Sequence, residues 1–463
     1  MTAAVSHAPA EVQPAAAALA PVLPFPATWK ASIGHWWAHT SSAGHAAQNA
    51  LLKRGLRGTG IELRDYDGTP LDGSSSSSSS ANGKVAQLRQ IELGGKDRML
   101  NVLEVGTPVR KEGEQTFVVL HGYGGAFAFY WQNLAAMCSI PNSRIYLMDL
   151  LGMGLSGRPK FPNIKVKGDA NLPENIKSRV SQAEDFFIDS FEDFAKKEKL
   201  DNFTMIGHSL GGYLSTAYAL RKPERVNRLI LISPVGIPKS PYHSDEEEEA
   251  KVGENRIPVE RELRDTQQQT TSTSSRSSVS SSSSSEKAAD KLKMPPKTWW
   301  TYLWEANISP FSLVRVSSFM GPKLVSRYAA RRFALFEPDV QTDLFGYLYS
   351  VYGQKGSGEY CLAHILSPGA FARWPLITRI KQLRGDIPVS FVYGDSDWMD
   401  KNGGREVCKL LKERQESSPR QKEQARVYTN PHAGHWTFLD NPKGMDDILK
   451  VEMREAVEGN TRK

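Results

Sequence analysis

Short, largely apolar runs alternate with longer amphipathic stretches through most of this chain. Phe117 to Leu120 leads into His121-Gly122, Arg144 to Leu147 stops just before Asp149, and Phe203 to Ile206, Val226 to Ser233 and Ile387 to Tyr393 are further runs. Between them, Ala183, Phe186, Phe187, Phe191 and Phe194 recur at helical spacing within Arg179 to Lys199. Runs that are apolar throughout read as strands buried on both faces, whereas half-exposed strands alternate. The pattern predicts an α/β class, with a mostly parallel, doubly wound sheet covered by helices. From Pro295 to Phe371 an aromatic-rich stretch with Trp299, Trp300, Trp304 and Phe311 interrupts the alternation. It reads as an inserted helical cap over the carboxyl ends of the strands, where such sheets bind ligands.

Two low-complexity stretches bury no core and read as disordered: the serine run Ser74 to Ser80, and an acidic and serine-rich segment that opens at Asp245 to Glu249. The expected organisation is therefore an N-terminal extension over 1–85, with a possible amphipathic helix at 28–56 and a disordered serine-rich part at 72–84. The first part of the core follows at 86–238, a cap region at 239–375 containing a disordered insert at 243–290, and the second part of the core at 376–463. In the extension, Trp29, Ile33, Trp36 and Trp37 share one helical face, followed by Lys53, Arg54 and Arg57. Such a stripe either meets a membrane surface or packs on the core. No run of apolar residues is long enough to cross a bilayer. The Ala/Pro-rich start, with Glu11 its one acid before Glu62, has a mild transit-peptide character. Three scattered cysteines in 463 residues argue against a disulfide framework or a zinc cage and for an intracellular, reducing setting. The net charge of +7 is not gathered into blocks, which argues against nucleic acid and is compatible with an anionic lipid surface.

The sharpest chemical signal is Gly207-His208-Ser209-Leu210-Gly211, a G-x-S-x-G turn between an apolar strand and a helix-like stretch. The turn is tight enough to demand glycine at Gly207 and Gly211, and it presents Ser209 as a nucleophile. A serine hydroxyl needs a base. His435 is the candidate, after a short strand near Val427-Tyr428, with His432 as competitor. The acid that orients it belongs on Gly394-Asp395-Ser396-Asp397-Trp398-Met399-Asp400, where Asp397 has the expected spacing and Asp400 is the runner-up. Serine, aspartate, then histidine is the chain order of the α/β-hydrolase fold. The oxyanion hole expected with them uses the backbone N–H groups of Leu210 and Tyr123, the latter in a loop that Gly124 and Gly125 keep open. His435 and Asp440 also make an H-x-x-x-x-D spacing. Asp440, just before Asn441-Pro442, reads as a helix cap rather than an acyl-transfer residue. No metal or cofactor is expected.

Several stretches together resemble one α/β-hydrolase subfamily: His121 to Pro159, including Tyr130-Trp131 and Met148 to Pro159, then Gly207 to Gly212, Pro234 to Pro238, and His435 to Pro442. The subfamily holds fungal mitochondrial cardiolipin-specific deacylases, lipases acting on phospholipids and N-acyl phospholipids, and a catalytically silent lipolysis co-activator. The cap stretch Tyr328 to Phe333 looks most like the fungal deacylases. The resemblance implies a serine hydrolase that removes acyl chains from membrane phospholipids, with cardiolipin as the favoured substrate. It also implies a mitochondrial inner-membrane location, with the cytoplasm or a lipid-droplet surface as alternatives. Acyl-CoA-dependent acylation of lysophosphatidic acid is the alternative activity, in which acyl-CoA is a co-substrate. A non-catalytic lipid-surface protein is the alternative of another class. The silent co-activator has asparagine where this chain keeps Ser209.

Overall fold

The computed structural model describes residues 26, 28–38, 41–71, 83–168, 172–239, 299–416 and 425–460. The Ala/Pro-rich start, nearly all of the serine-rich stretch and the acidic insert lie outside the described residues.

Nine strands make one sheet: β1 (Glu62–Arg64), β2 (Val85–Glu92), β3 (Met99–Gly106), β4 (Gln115–Leu120), β5 (Ser143–Met148), β6 (Phe203–His208), β7 (Val226–Ile232), β8 (Val389–Gly394) and β9 (Ala425–Asn430). Their spatial order is β1-β2-β3-β5-β4-β6-β7-β8-β9. β3 runs antiparallel to both β2 and β5, and from β5 to β9 every pairing is parallel. The crossover from β5 over β4 to β6 puts the two central strand ends, with His121 and Ser209 just beyond them, side by side. Every residue of β4, β5, β6 and β8 is buried. That accounts for their largely apolar reading.

The longer helices among the described residues are α1 (Trp29–Ala38), α2 (Ser41–Gly55), α3 (Pro173–Lys197), α4 (Leu210–Arg221), α5 (Trp299–Glu305), α6 (Pro310–Val316), α7 (Gly321–Arg332), α8 (Pro338–Gly353), α9 (Lys401–Glu416) and α10 (Pro442–Asn460). One core packs α3, α4 and α9 against the sheet through Phe187, Phe191, Leu214, Tyr218 and Leu411. The other packs α2, α8 and α10 on the opposite face through Leu51, Leu52, Leu348 and Leu449. α5 to α8 form the cap.

Two expectations change here. The single helix over 28–56 is instead two helices that do different work. α2 belongs to the core, with Leu51 and Leu52 fully buried. Its basic residues are also engaged inward: Arg54 pairs with Asp339 and Asp343 of α8 at 2.9 Å each, and Lys53 donates to the Leu71 carbonyl. The face of α1 is the exposed one, with Trp29 48%, Ile33 46%, Trp36 40% and Trp37 80% accessible. The stretch 41–71 thus folds onto the hydrolase core, and β1 joins its sheet.

Candidate active site

β6 ends at His208, and the chain must turn within one residue to start α4. Ser209 makes that turn with φ 53° and ψ −115°. The left-handed φ is costly for a side chain other than glycine and persists only where its surroundings fix it. Here Ser209 N–H donates to the Ile232 carbonyl at 2.9 Å, and Tyr213 N–H donates to the Ser209 carbonyl at 3.1 Å. A Cβ on Gly207 would stand 2.5 Å from the Gly211 oxygen, and one on Gly211 would stand 2.6 Å from the His121 oxygen. Both glycines are therefore required by contact as well as by the turn.

The structure brings Ser209, His435 and Asp397 together from three chain regions. Ser209 Oγ lies 3.0 Å from His435 Nε2, and His435 Nδ1 lies 3.1 Å from Asp397 Oδ1. In this network the hydroxyl donates to Nε2, and Nδ1–H donates to the carboxylate. Asp397, on the loop after β8, has a side chain only 1% exposed. Burial pushes its carboxyl up, but the His435 bond and charge and the Met399 N–H outweigh that, so it sits below the ordinary aspartate value. Asp400 is placed elsewhere: it is exposed, and its Oδ1 accepts from Asn402 N–H at 2.8 Å, in the first turn of α9. His432 is exposed at a φ of 55° on the outer side of the turn. The third aspartate, Asp395, accepts from His432 N–H and Ala433 N–H at 2.9 and 3.2 Å, and so shapes the turn that carries His435.

Leu210 is the first residue of α4, where backbone N–H groups have no partner inside the helix and the helix dipole favours negative charge. Tyr123 sits in the turn after β4. Gly125 N–H closes that turn on the Gly122 carbonyl at 3.0 Å, and the Tyr123 ring stacks on Phe311 of the cap at 5.2 Å. The same loop rests on a buried scaffold that sequence reasoning passed over. Asp149 accepts from Phe127 N–H, Leu155 N–H and Asn101 Nδ2–H at 2.7 to 2.8 Å. His121, buried and thereby lowered in pKa, donates from Nδ1 to the Gly122 carbonyl and accepts at Nε2 from Leu150 N–H.

One further group was missed. His208 is buried, which with the neighbouring His435 holds it at about 3, and its neutral Nε2–H donates to the His435 carbonyl at 2.9 Å. Asp440 is a correction. The cap of α10 is Asn441, whose Oδ1 accepts from Gly444 N–H at 3.0 Å. Asp440 turns back instead. Its Oδ2 accepts from Gly434 N–H at 3.0 Å, and its Oδ1 pairs with Arg332 of α7 at 2.7 Å. Sequence grammar placed the cap one residue early.

Among the described residues, the cap lies over the site. Phe311 stacks on Tyr352 at 4.4 Å and fills the space beside Gly124. What remains beside Ser209 is a cavity of about 40 Å³, lined by Tyr123, Phe129, His208, His435, Trp436 and Phe438 among others. A larger groove of about 820 Å³, beside α9 and β9, contains none of these groups.

The geometry is that of a base-activated serine beneath a cap. The model of the alpha/beta hydrolase fold family matches residues 115–442. The chain belongs to that family. A rice protein named probable 1-acylglycerol-3-phosphate O-acyltransferase is 31% identical over 356 residues, 76% of this chain and 70% of its own. Human 1-acylglycerol-3-phosphate O-acyltransferase ABHD5 is 27% identical over 72% of this chain and 76% of its own. The human (lyso)-N-acylphosphatidylethanolamine lipase is 28% identical over 63% of this chain and 67% of its own. These hydrolase-family relatives carry lipid-related names.

Proposed function

We propose that this protein is a serine ester hydrolase that removes fatty-acyl chains from phospholipids at a membrane surface, with cardiolipin as the favoured substrate. The observation that carries the reading is the unbroken relay from Ser209 Oγ through His435 to the buried Asp397. As the Ser209 oxygen attacks the ester carbonyl, its proton passes to His435 Nε2. The oxyanion is met by the N–H groups of Leu210 and Tyr123. Such donors are worth roughly 3–4 kcal/mol each when preorganised. The lysolipid alkoxide leaves with the proton from His435, and water, activated by the same ring, releases the acid from Ser209.

Substrate must reach a site that is shut. Pockets for drug-sized ligands span roughly 300–1,000 Å³, far more than the cavity present, so an acyl chain enters only once the cap moves. The surface next to the cap suits that event. α1 packs on the turn Ser318–Met320 and on α7, and its exposed Trp29, Ile33, Trp36 and Trp37 continue into exposed Phe319, Met320 and Val316 of the cap. Lys323 lies over the Trp29 ring at 4.0 Å and Lys30 is exposed, which suits an anionic leaflet. Among the described residues no helix is long and apolar enough to cross a membrane, so the reading is one of surface binding. A mitochondrial membrane, where the fungal deacylases work, is the proposed location.

Acyl transfer from acyl-CoA to lysophosphatidic acid is the second reading, supported by the printed names of the rice and ABHD5 relatives. Purified protein incubated separately with cardiolipin, with phosphatidylcholine, and with lysophosphatidic acid plus acyl-CoA decides between them by lipid mass spectrometry. Free fatty acid and lysocardiolipin are expected, absent from Ser209→Ala, which also loses fluorophosphonate labelling. Phosphatidic acid formed without lysocardiolipin establishes the second reading instead.

A further inference from the structure

Arg332 ends α7, the cap helix against which α1 packs. Its guanidinium reaches across to the core in two ways: it pairs with Asp440 Oδ1 at 2.7 Å and lies 5.5 Å above the Trp436 ring. Asp440 passes that contact on, because its second oxygen accepts the Gly434 N–H at 3.0 Å. Gly434 and Trp436 flank His435. The cap therefore grips the residues on both sides of the base, through the carboxylate on one and the indole face on the other. Phe129 and Trp436, which line the cavity beside Ser209, meet edge to face at 5.2 Å, so the grip also bears on the cavity wall. Neither partner of the pair is deeply buried, with side chains 23% and 21% exposed.

We infer that Asp440 is a positioning residue for His435, and that Arg332 of the cap holds Asp440 in place, so that the base is aligned with Ser209 while the cap is seated. This rests on the reading of His435 as the base and adds a control to it: the cap both admits substrate and sets the histidine. Acyl-transfer acidity is not needed to explain the H-x-x-x-x-D spacing. Six residues from Gly434 to Asp440 let one carboxylate close the turn on its own first N–H and still face the cap.

The test uses full-length protein with Arg332→Gln, Asp440→Asn, their double variant, and Arg331→Gln as an exposed control. Two measurements are made: hydrogen exchange across 432–436, and the rate of fluorophosphonate labelling at Ser209. Arg332→Gln and Asp440→Asn should each speed exchange and slow labelling about 10- to 100-fold, the usual cost of a small misplacement of a reacting group. The double variant should be no slower than either single one, because both break the same link. Arg332→Lys should recover part of the rate, and Arg331→Gln should match the parent. Unchanged exchange and labelling in Arg332→Gln would overturn the inference. So would an inactive Asp440→Asn beside a fully active Arg332→Gln, which would make Asp440 a proton-transferring acid. If the parent itself is not labelled, the proposed nucleophile fails, and the exchange data still decide whether Arg332 steadies the turn.

Discussion

Asp397→Asn tests the relay at the point where three aspartates compete. The parent carboxylate accepts Nδ1–H of His435 at 3.1 Å from a side chain 1% exposed, which leaves Nε2 free to take the Ser209 proton. An asparagine fits the same space but turns its amide toward Nδ1 and favours the other tautomer, which presents N–H to Ser209 where a lone pair is needed. In serine hydrolase triads this exchange lowers kcat by about 10,000-fold with the geometry kept. That corresponds to about 5.5 kcal/mol of barrier at 1.36 kcal/mol per decade. Asp400→Asn is the matched control. Its carboxylate serves the first turn of α9 through Asn402 N–H at 2.8 Å, a role asparagine keeps at a cost of a few tenths of a kcal/mol. Hydrolysis of a soluble short-chain ester, followed from pH 6 to 9 with circular dichroism as the folding control, should separate the two by at least roughly three decades. An active Asp397→Asn beside a dead Asp400→Asn would refute the assignment. Equal mild losses in both would show that His435 is oriented without a buried acid.

Other outcomes follow from the same structure. His208 is held at about 3 against an unfolded value of about 6.5, so the unfolded chain binds the extra proton between those values. Stability is then full above pH 6.5 and falls as pH drops toward 3; from pH 7 to 5 this ring accounts for about 2 kcal/mol. His208→Gln should remove that much of the pH dependence in urea titrations, and an unchanged slope would mean that His208 is charged when folded. Replacing Trp36 and Trp37 with serine should leave melting temperature and soluble-ester hydrolysis unchanged while reducing flotation with cardiolipin vesicles. A lower melting temperature with unchanged flotation would make the exposed aromatics of α1 a structural face instead.

Of the strands that carry the site, β4, β5, β6 and β8 were legible because each is buried throughout and so appears as a largely apolar run, and β7 through its apolar half from Leu229 to Ile232. β1, β2 and β3 were not read. β2 alternates buried and accessible residues, as in Val85-Ala86-Gln87-Leu88-Arg89, and only its period of two marks it. α3 starts at Pro173, six residues ahead of the stretch from Arg179 that announced it, because its first turns face outward. Ser209, His435 and Asp397 could be placed by local spacing, since each sits on a turn whose geometry is written within five or six residues. Arg332 had no such signal: its partner lies 108 residues away, and nothing near either residue marks the pair.

The turn that carries His435 shows how a base is held still beneath the cap. His432, Ala433 and Gly434 each give their backbone N–H to a carboxylate, the first two to Asp395 and the third to Asp440. His208 takes the His435 carbonyl, and Asn430 Nδ2 spans the Thr437 and Asn441 carbonyls. Most of these ties come from the core and survive any movement of α7. Arg332 alone among them belongs to the cap. A partly exposed ion pair is worth about 0.2–1 kcal/mol, and stacking on Trp436 adds about 0.5–1. The link is therefore weak enough to yield if α7 shifts. Yet it acts on a reacting distance of 3.0 Å between Nε2 and Oγ, where small displacements cost decades of rate. A contact of about 1–2 kcal/mol can thus govern far more than its own energy, because it is spent on alignment rather than on stability.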